Sequence, residues 1–324
     1  MLSATSKIIP IVSIKETKPN PVRLSDSALG TLTTCERMFQ LDRLLVTEVE
    51  REDTEHTVFG KSFGAGIASY LVTADASKSI YNAWLAYYPE LENDKKNQAK
   101  CFTALENAFP KLDILLETYE VVSFNERPAV ELSFRINISE HYYFVGYVDV
   151  VLKHKETGMH YITEVKTTGL ALVDLDPMYK NSGQALGYSI ALDKIVGSEQ
   201  SSYGVIYLVA QLGRGFDSKF HVLPYDKTLL DRLNWFLTLG QDLQRLNTMR
   251  EINVYPMRGK NCLQYMRPCR FFGVCGLKSF DLPKVIPEDL IEYDFVYELE
   301  DLVASHVSRV TAAPARQRVI QSLD

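Results

Sequence analysis

The sequence lacks several features that would assign it to a specialised class of protein. It contains no run of about 18 apolar residues, the usual signature of a membrane-spanning helix. Its first residues lack the charged start and long apolar run of a signal peptide, so an intracellular protein is expected. Internal repeats and low-complexity tracts are also missing. The 324 residues, 46% of them hydrophobic and 23% charged, suffice for one large globular domain or two modest ones.

The sequence also lacks an excess of positive charge. Its 35 Lys and Arg residues face 41 Asp and Glu residues, which gives a net charge of −6. That balance counts mildly against a protein that coats nucleic acid, because Lys and Arg drive phosphate binding. It does not exclude a local basic groove, since net charge says nothing about where the charges lie.

The order of composition along the chain predicts five regions. An irregular arm with three prolines spans residues 1–24, and a mostly helical region spans 25–125. Strand-like and helical segments then alternate as β-β-β-α-β-β over residues 126–250, which predicts a mixed sheet with a helix across it. A cysteine-containing loop follows at 251–280, and 281–324 is a C-terminal extension that ends in a loosely held tail.

Charged residues interrupt two of the predicted core strands. Glu164 and Lys166, in "HYITEVKTTG", share one face of their strand because successive residues point to opposite faces. Asp149, in "GYVDVVLKH", is flanked by valines, although Asp is depleted in strands and costly to bury unpaired. A hairpin through "KHKETG" would bring Asp149 beside Glu164. Glu131, on the preceding strand, could reach the same place.

Two explanations fit these charges. A carboxylate and a lysine two residues apart on a strand often form a solvated salt bridge, and for Glu164 and Lys166 alone that explanation is favoured. The apolar neighbours of Asp149 argue against it. Two adjacent carboxylates repel unless a cation lies between them, and Mg²⁺ prefers such oxygen ligands. Lys166 beside that ion would stabilise negative charge on a phosphate.

The residue pattern resembles the core motif of the PD-(D/E)XK nuclease superfamily. "GYVD" ends at Asp149, and 15 residues later Glu164 begins "EVK". Gln184 and Tyr188 in "QALGY" match the Gln-X-X-X-Tyr pattern of the following helix, on one helix face. The match is closest to the RecB-like exonuclease branch, which includes CRISPR-associated adaptation nucleases and bacteriophage exonucleases. The resemblance spans roughly residues 25–280.

The resemblance implies a fold. It implies an α/β (α+β) protein with a restriction-endonuclease-like mixed β-sheet core and flanking helices. Residues 126–250 would be the nuclease core, and the helical region before them would pack on that core.

The resemblance also implies a metal site. Asp149 and Glu164 would be the metal ligands for Mg²⁺ or Mn²⁺, with the Val165 carbonyl as a third and Glu131 in support. Gly64 stands where many members carry a metal-ligating His, so a simpler metal site is expected and the number of ions stays open.

The resemblance assigns catalytic roles in the same way. Lys166 would be the catalytic lysine, and Gln184 and Tyr188 would position DNA and the carboxylates. The full catalytic set it implies is Asp149, Glu164, Lys166, Gln184 and Tyr188.

Four of the five cysteines form a second pattern. Cys262, Cys269 and Cys275 punctuate one loop, and Cys35 stands in the first predicted helix. In a reducing compartment, clustered thiols bind metal more often than they form disulfides. Four thiolates can hold a 4Fe–4S cluster or a structural Zn²⁺, although the absence of paired Cys-X-X-Cys weighs against an ordinary zinc ribbon. Cys101 fits neither group and is expected in the core.

An iron–sulfur subgroup of the same family has one cysteine before the nuclease core and three after it. The resemblance therefore implies that Cys35, Cys262, Cys269 and Cys275 bind a 4Fe–4S cluster, with structural Zn²⁺ as the alternative. The cluster would link the two ends of the domain.

The function implied is a Mg²⁺- or Mn²⁺-dependent deoxyribonuclease, a phosphodiester hydrolase. It would be an exonuclease on DNA ends or single strands in recombination, repair or phage DNA metabolism. A cytoplasmic location is expected, and a phage-infected bacterial cell is one setting that would fit it. Helicases, recombinases, other replication proteins and further copies of the chain are candidate partners. A non-catalytic DNA-binding or scaffolding subunit that keeps the fold is the alternative.

Side chains near the three clustered cysteines, and one in the helix with the Gln-X-X-X-Tyr pattern, are candidates for DNA contact. Aromatic rings could stack on bases and basic groups could contact phosphates, while core packing and a solvated loop are the competing explanations. The aromatic candidates are Tyr188, Phe271 and Phe272, and the basic candidates are Lys260, Arg267 and Arg270.

Overall fold

The computed structural model describes most of the chain as two units. The described residues are 21–45, 54–87, 95–197, 203–264, 267–277 and 293–312. The smaller unit comprises residues 1–49, 138–143 and 238–287, and the larger comprises 50–137, 144–237 and 288–324.

The regular elements are numbered in chain order. The strands are β1 (Val22–Leu24), β2 (Tyr119–Val121), β3 (Ser123–Phe124), β4 (Arg127–Pro128), β5 (Val130–Ser139), β6 (Tyr142–His154), β7 (His160–Thr168), β8 (Tyr203–Leu212), β9 (Ser218–Lys227), β10 (Leu263–Gln264), β11 (Arg267–Pro268) and β12 (Phe295–Glu298). The α-helices are α1 (Asp26–Thr34), α2 (Glu36–Phe39), α3 (Glu55–Thr73), α4 (Ala76–Tyr87), α5 (Lys95–Thr118), α6 (Leu172–Lys180), α7 (Gly183–Val196), α8 (Leu229–Ile252) and α9 (Leu299–Ala312). A π-helical turn, Gln40–Leu44, continues α2.

A mixed sheet with strand order β12-β5-β6-β7-β8-β9 organises the larger unit, and β2 pairs with β6. The β6–β7 hairpin is antiparallel. The β7–β8 pair is parallel, so it needs a crossover connection, which α6 and α7 supply. The predicted fold class, an α/β (α+β) protein with a mixed sheet and flanking helices, is confirmed.

The two faces of this sheet differ in chemistry. Val150 and Leu152 of β6 and Ile206 and Leu208 of β8 belong to one buried apolar cluster with helices α3, α4 and α5. Because side chains alternate between faces, the residues between them point the other way, toward α6 and α7. Val165 also packs on the helical cluster. The charged positions that flank it, 164 and 166, therefore belong to the opposite face.

Several element boundaries differ from the sequence prediction. The single helix expected over residues 178–195 is two helices, because Asn181 and Ser182 favour caps and turns over a helix interior. The long helix expected to reach residue 122 ends at Thr118, and the following Tyr-Glu-Val pairs with β6.

The expected arm and tail are also partly regular. Val22–Leu24 form a strand, while residues 1–20 lie outside the described residues. The expected loose tail begins inside α9, where His306 is buried, and residues 313–324 lie outside the described part. Among the described helices, none combines the length and apolarity needed to cross a membrane.

The smaller unit is built around a buried carboxylate. Glu36, fully buried at the start of α2, accepts two hydrogen bonds from Arg258, at 2.9 and 2.6 Å, and also pairs with Arg245. Leu41 and Phe271 form a small apolar core beside it. These contacts tie α2 to α8 and to the loop that precedes the cysteines.

Gly146 marks a close approach of ring side chains to strand β6 in the larger unit. A Cβ at this position would lie 2.4 Å from ring atoms of both Phe134 and Tyr188. Those two rings meet edge to face with their centroids 5.3 Å apart. Only glycine lets β6 pass beneath that pair.

We expect Gly146→Ala to lower the free energy of unfolding by about 1–3 kcal/mol, because the added methyl group overpacks the two rings. Thermal or urea denaturation of the purified protein measures this. Gly64→Ala is the matched control. Its Cβ would meet nothing within 4 Å, and Ala is favoured over Gly in a helix. Equal stability of the two variants would contradict the packing argument.

Candidate active site

The β6–β7 hairpin brings the predicted carboxylates together. Val150 pairs with Thr163, so the next step of the register sets Asp149 opposite Glu164. Asp149 Oδ2 accepts a hydrogen bond of 2.7 Å from the Val165 amide, which fixes its position against β7. The hairpin expected from the sequence thus places both carboxylates on one face of the sheet.

Glu164 is the centre of the polar network. Its side chain is fully buried, and its Oε2 accepts hydrogen bonds from Lys166 Nζ at 2.8 Å and Gln184 Nε2 at 3.1 Å. Gln184 Nε2 also lies 3.1 Å from the hydroxyl oxygen of Tyr188. Oε1 of Glu164 is buried without a hydrogen-bond partner among the described residues. The five residues of the implied catalytic set therefore lie in one network of strands β6 and β7 and helix α7.

Burial and neighbouring charge shift the titration of these groups. The pKa of Glu164 is raised to about 7. Burial is the largest cause, Lys166 opposes it, and the Asp149 and Glu131 carboxylates add to the rise. Burial likewise raises the pKa of Asp149, whereas Lys166 and the hydrogen bond from the Val165 amide lower it. For Lys166, burial would lower the pKa, but Glu164 and Asp149 outweigh it and the net shift is upward. Lys166 is consequently cationic at neutral pH.

Glu131 lies at the margin of this network. Its side chain is exposed, and its backbone has a φ of 51°, in the left-handed region that is unfavourable for a residue with a Cβ. Desolvation by the surrounding protein raises the pKa of Glu131, Asp149 adds to the rise and Lys166 reduces it. The carboxylate is therefore within electrostatic reach of the site, as the sequence suggested.

The donor chemistry of the site suits a hard divalent cation. Mg²⁺ and Mn²⁺ prefer carboxylate and carbonyl oxygens, and the orphaned Oε1 of Glu164 beside Asp149 is such a donor. Among the described residues, no group of three Asp, Glu, His or Cys side chains is arranged to hold a metal ion. The candidate metal ligands are therefore Glu164 and Asp149, with the Val165 carbonyl as the third. Gly64 adds no donor.

Two tyrosines that the sequence did not single out lie beside the network. Tyr207 pairs with Glu164 in the parallel β7–β8 register and is buried. Burial raises its pKa to about 12, with Ser182 lowering it and Glu164 raising it. The ring of Tyr179 stacks on Tyr207 with centroids 4.5 Å apart. Both read as ordinary core aromatics in the sequence. The β7–β8 register identifies Tyr207, whereas Tyr179 lies on α6 and is placed by its packing on Tyr207.

The four implied cluster cysteines lie in the smaller unit, all half-buried. The Cys269 amide donates to the Cys262 carbonyl at 2.8 Å. Burial raises the pKa of the Cys275 thiol, Arg37 lowers it, and the thiols of Cys35 and Cys262 raise it, so Cys275 is within electrostatic reach of both. Among the described side chains, they do not form a closed metal cage.

The structure supports some of the remaining side-chain predictions and not others. Cys101 lies in the core, as expected. Phe271 is only 2% exposed and packs on Leu41, so of its two explanations core packing is the correct one. Phe272 is 67% exposed and remains a candidate. Arg270 pairs with Asp42 at 2.5 Å and covers the Phe271 ring, which gives it a packing role. Lys260 and Arg267 are exposed.

The structure thus brings two carboxylates and a lysine on adjacent strands together with a glutamine and a tyrosine from α7. The model of the PD-(D/E)XK nuclease superfamily matches residues 23–276. The chain belongs to this superfamily.

Two further comparisons add little. The chain is similar to a crystal structure from Eubacterium rectale named "Putative exonuclease", with 11% sequence identity and a TM-score of 0.48. The similarity covers 87% of this chain and 93% of that chain. A likeness of this strength carries no argument about function. No curated protein gives a significant match.

The buried Glu164 predicts a pH-dependent stability difference between wild type and Glu164→Gln. Its pKa is raised from 4.5 to about 7 on folding, so the folded protein holds the proton more tightly than the unfolded chain. Between these two pH values, ionisation costs the folded state free energy. Wild type should therefore lose stability relative to Glu164→Gln as pH rises through that window, by on the order of 3 kcal/mol at most.

Urea denaturation of both proteins in EDTA, at pH values across and above the window, measures that difference. A stability difference that stays constant with pH would show that Glu164 titrates normally.

Proposed function

We propose that this protein is a Mg²⁺- or Mn²⁺-dependent deoxyribonuclease that acts as an exonuclease on DNA ends or single strands. The observation that carries the proposal is the contact between Lys166 Nζ and the buried Glu164, with Asp149 on the same face of the sheet. A lone surface salt bridge would not need a desolvated carboxylate. Recombination, repair or phage DNA metabolism would use such an activity.

Each side chain of the network has a role in this proposal. Lys166, cationic at neutral pH, stabilises the negative charge that develops on the phosphate during hydrolysis. Gln184 donates to Glu164 and orients it, and Asp149 is held by the Val165 amide. Tyr188, packed against Phe134, holds the helix that carries Gln184 against the sheet.

Glu164, Asp149 and the Val165 carbonyl would hold the metal, with Glu131 in support. When bound, a divalent cation neutralises the paired carboxylates and polarises phosphate oxygens. The buried, unsatisfied Oε1 of Glu164 favours such a cation, as do the burial and the neighbouring Asp149 carboxylate that raise the pKa of Glu164.

The alternative is a non-catalytic DNA-binding or scaffolding subunit that retains the fold and works beside a helicase, recombinase or other replication protein. The acidic net charge of −6 and the glycine at position 64 favour it. The presence of all five network residues favours the enzyme, because a subunit that only binds DNA does not need them.

We expect cleavage of end-labelled single- or double-stranded DNA in the presence of Mg²⁺ or Mn²⁺, and loss of at least about 100-fold of that activity in Lys166→Ala. The order in which labelled products appear separates an exonuclease from an endonuclease and gives its polarity. The protein should be purified without oxygen to preserve any cluster.

Lys153→Ala is the matched control, since Lys153 lies on β6 outside the Glu164 network and forms a surface ion pair of 3.8 Å with Glu120. It should cleave like wild type. If folded wild type leaves every substrate intact with both metals yet binds DNA, the scaffolding alternative replaces the enzyme.

We also propose that Cys35, Cys262, Cys269 and Cys275 hold a 4Fe–4S cluster, with structural Zn²⁺ as the alternative. The supporting observation is that the Cys275 thiol lies close enough to Cys35 and Cys262 for their charges to interact. The role would be structural, because the ligands tie the first helices of the smaller unit to its C-terminal loop.

Anaerobically purified wild type should contain iron and acid-labile sulfide, and Cys262→Ser should contain less of both and unfold at a lower temperature. Cys101→Ala controls for thiol loss in the core, because it should alter stability without altering metal content. Zinc without sulfide would identify the alternative. Protein that is folded and free of both metals would exclude any metal at these cysteines.

A further inference from the structure

Tyr207 is a buried polar residue beside the Glu164 network that has no role in the function proposed above. It lies on β8 opposite Glu164 in the parallel β7–β8 register. Its sequence neighbours Ile206 and Leu208 belong to the apolar cluster on the other face of the sheet, so Tyr207 shares a face with Glu164. Only 2% of its surface is exposed. A phenol group is thus held out of water beside a candidate metal ligand.

Two polar atoms of this cross-strand pair are buried without a hydrogen-bond partner among the described residues. They are Oε1 of Glu164 and the hydroxyl oxygen of Tyr207. The Ser182 side chain lies near the same hydroxyl and lowers its pKa, as a donor to the phenol oxygen does. A hydroxyl has one proton and two lone pairs, so even with Ser182 as a donor one lone pair of Tyr207 stays unused.

Leaving both atoms unsatisfied is costly for the folded protein. A buried polar atom without a partner costs free energy, and the cost is larger for a charged group than for a neutral one. Unsatisfied buried groups in a native structure often mark a place where a ligand or an ion completes the site. Because the register fixes the two residues opposite each other, one hydrated ligand can serve both atoms.

The charges of the network reach the Tyr207 hydroxyl. Burial is the main cause of its raised pKa, and among the charged groups Glu164 raises that pKa while Lys166 lowers it. For Lys166, burial lowers the pKa, and Glu164, Asp149 and Tyr207 raise it. The hydroxyl is therefore within electrostatic reach of both the candidate ligand and the lysine.

Packing holds the Tyr207 ring on two sides. The Tyr179 ring of α6 stacks on it with the centroids 4.5 Å apart and an angle of 24° between the planes. The Tyr225 ring of β9 meets it edge to face, with the centroids 5.8 Å apart. A ring that is fixed in this way keeps its hydroxyl in one position, which a residue that orients a ligand requires.

A hydrated divalent cation would satisfy both unpartnered atoms. Mg²⁺ binds carboxylate oxygens and retains several of its waters. Glu164 Oε1 would bind the cation, and the hydroxyl oxygen of Tyr207 would accept a hydrogen bond from a retained water. We propose that Tyr207 is a positioning residue of the metal site, which raises the affinity for Mg²⁺ through this hydrogen bond. The inference rests on the metal site proposed above and does not require DNA.

An ordinary buried water is the competing explanation, because it could donate to both atoms without any metal. The two explanations predict different properties of Tyr207→Phe. If the hydroxyl serves only a structural water, the variant loses stability in EDTA and keeps its affinity for Mg²⁺. If it serves the hydrated cation, the variant binds Mg²⁺ more weakly. Its stability in EDTA then equals or exceeds that of wild type, because an unpartnered buried group has been removed.

The test is isothermal titration calorimetry of the full chain with MgCl₂ and with CaCl₂, without DNA, beside urea denaturation in EDTA. We expect Tyr207→Phe to bind Mg²⁺ about tenfold more weakly than wild type, the effect of losing one hydrogen bond to a charged group. Ca²⁺ binding should weaken less. Ca²⁺ coordinates with flexible geometry, whereas Mg²⁺ depends more on the waters that it retains.

Tyr225→Phe is the matched control. The Tyr225 hydroxyl donates to Asp176 Oδ1 at 2.7 Å, outside the Glu164 network. The same chemical change there should leave both metal affinities at the wild-type value. Glu164→Gln locates the binding, because it removes the charge of the candidate ligand and should eliminate most of the Mg²⁺ binding.

The inference is wrong if Tyr207→Phe, verified as folded by circular dichroism, binds Mg²⁺ as tightly as wild type. It is also wrong if the affinities for Mg²⁺ and Ca²⁺ fall equally, or if Tyr225→Phe loses as much Mg²⁺ affinity as Tyr207→Phe. Loss of folding or of stability in EDTA would assign the hydroxyl to a structural role. If wild type binds no Mg²⁺, or Glu164→Gln binds it unchanged, the proposed metal site fails together with this inference.

Discussion

The desolvated Glu164 carboxylate is the constraint around which the larger unit is arranged. A carboxylate at the centre of a sheet is tolerated only when cations and hydrogen-bond donors compensate for the lost water. Lys166 and Gln184 supply both to one oxygen, and the other oxygen remains unsatisfied among the described residues. The protein thus keeps a costly group in place, as sites that bind or transform a ligand commonly do.

That constraint explains the division of the sheet into two faces. On β6 and β8, the residues that face helices α3 to α5 are aliphatic and form a continuous core. The intervening positions carry Asp149 and Tyr207, and β7 contributes Glu164 and Lys166 to the same side. The apolar face provides the rigidity, and Gly146 lets α7 approach the other face closely enough for Gln184 to reach the carboxylate.

Buried ion pairs recur elsewhere in the chain, with a different balance of charge. Glu36 pairs with two arginines in the smaller unit, and Asp193 pairs with two in the larger. Removing one member of such a cluster leaves an uncompensated buried charge, so these clusters favour one arrangement of their helices more than they add net stability. In the polar network around Glu164 the ratio is reversed, because three carboxylates share a single lysine. The excess of negative charge in that network suits a cation.

Local pattern in the sequence was enough to identify the strands β5 to β9, the pairing of Asp149 with Glu164, and the helix that carries Gln184 and Tyr188. Those features follow from alternation, turn residues and spacing, which act over a few residues. Tyr207, Tyr179, Arg232 and His306 were not identifiable, because each reads as an ordinary core or surface residue until a distant segment packs against it. The parallel β7–β8 register, the division of residues 172–196 into two helices and the closure of α9 over α7 and α8 depend on which surfaces can be buried together. The sequence by itself determined the chemistry of the site, and the tertiary structure decided which groups lose water and which charges meet, since desolvation and charge pairing depend on neighbours remote in the chain.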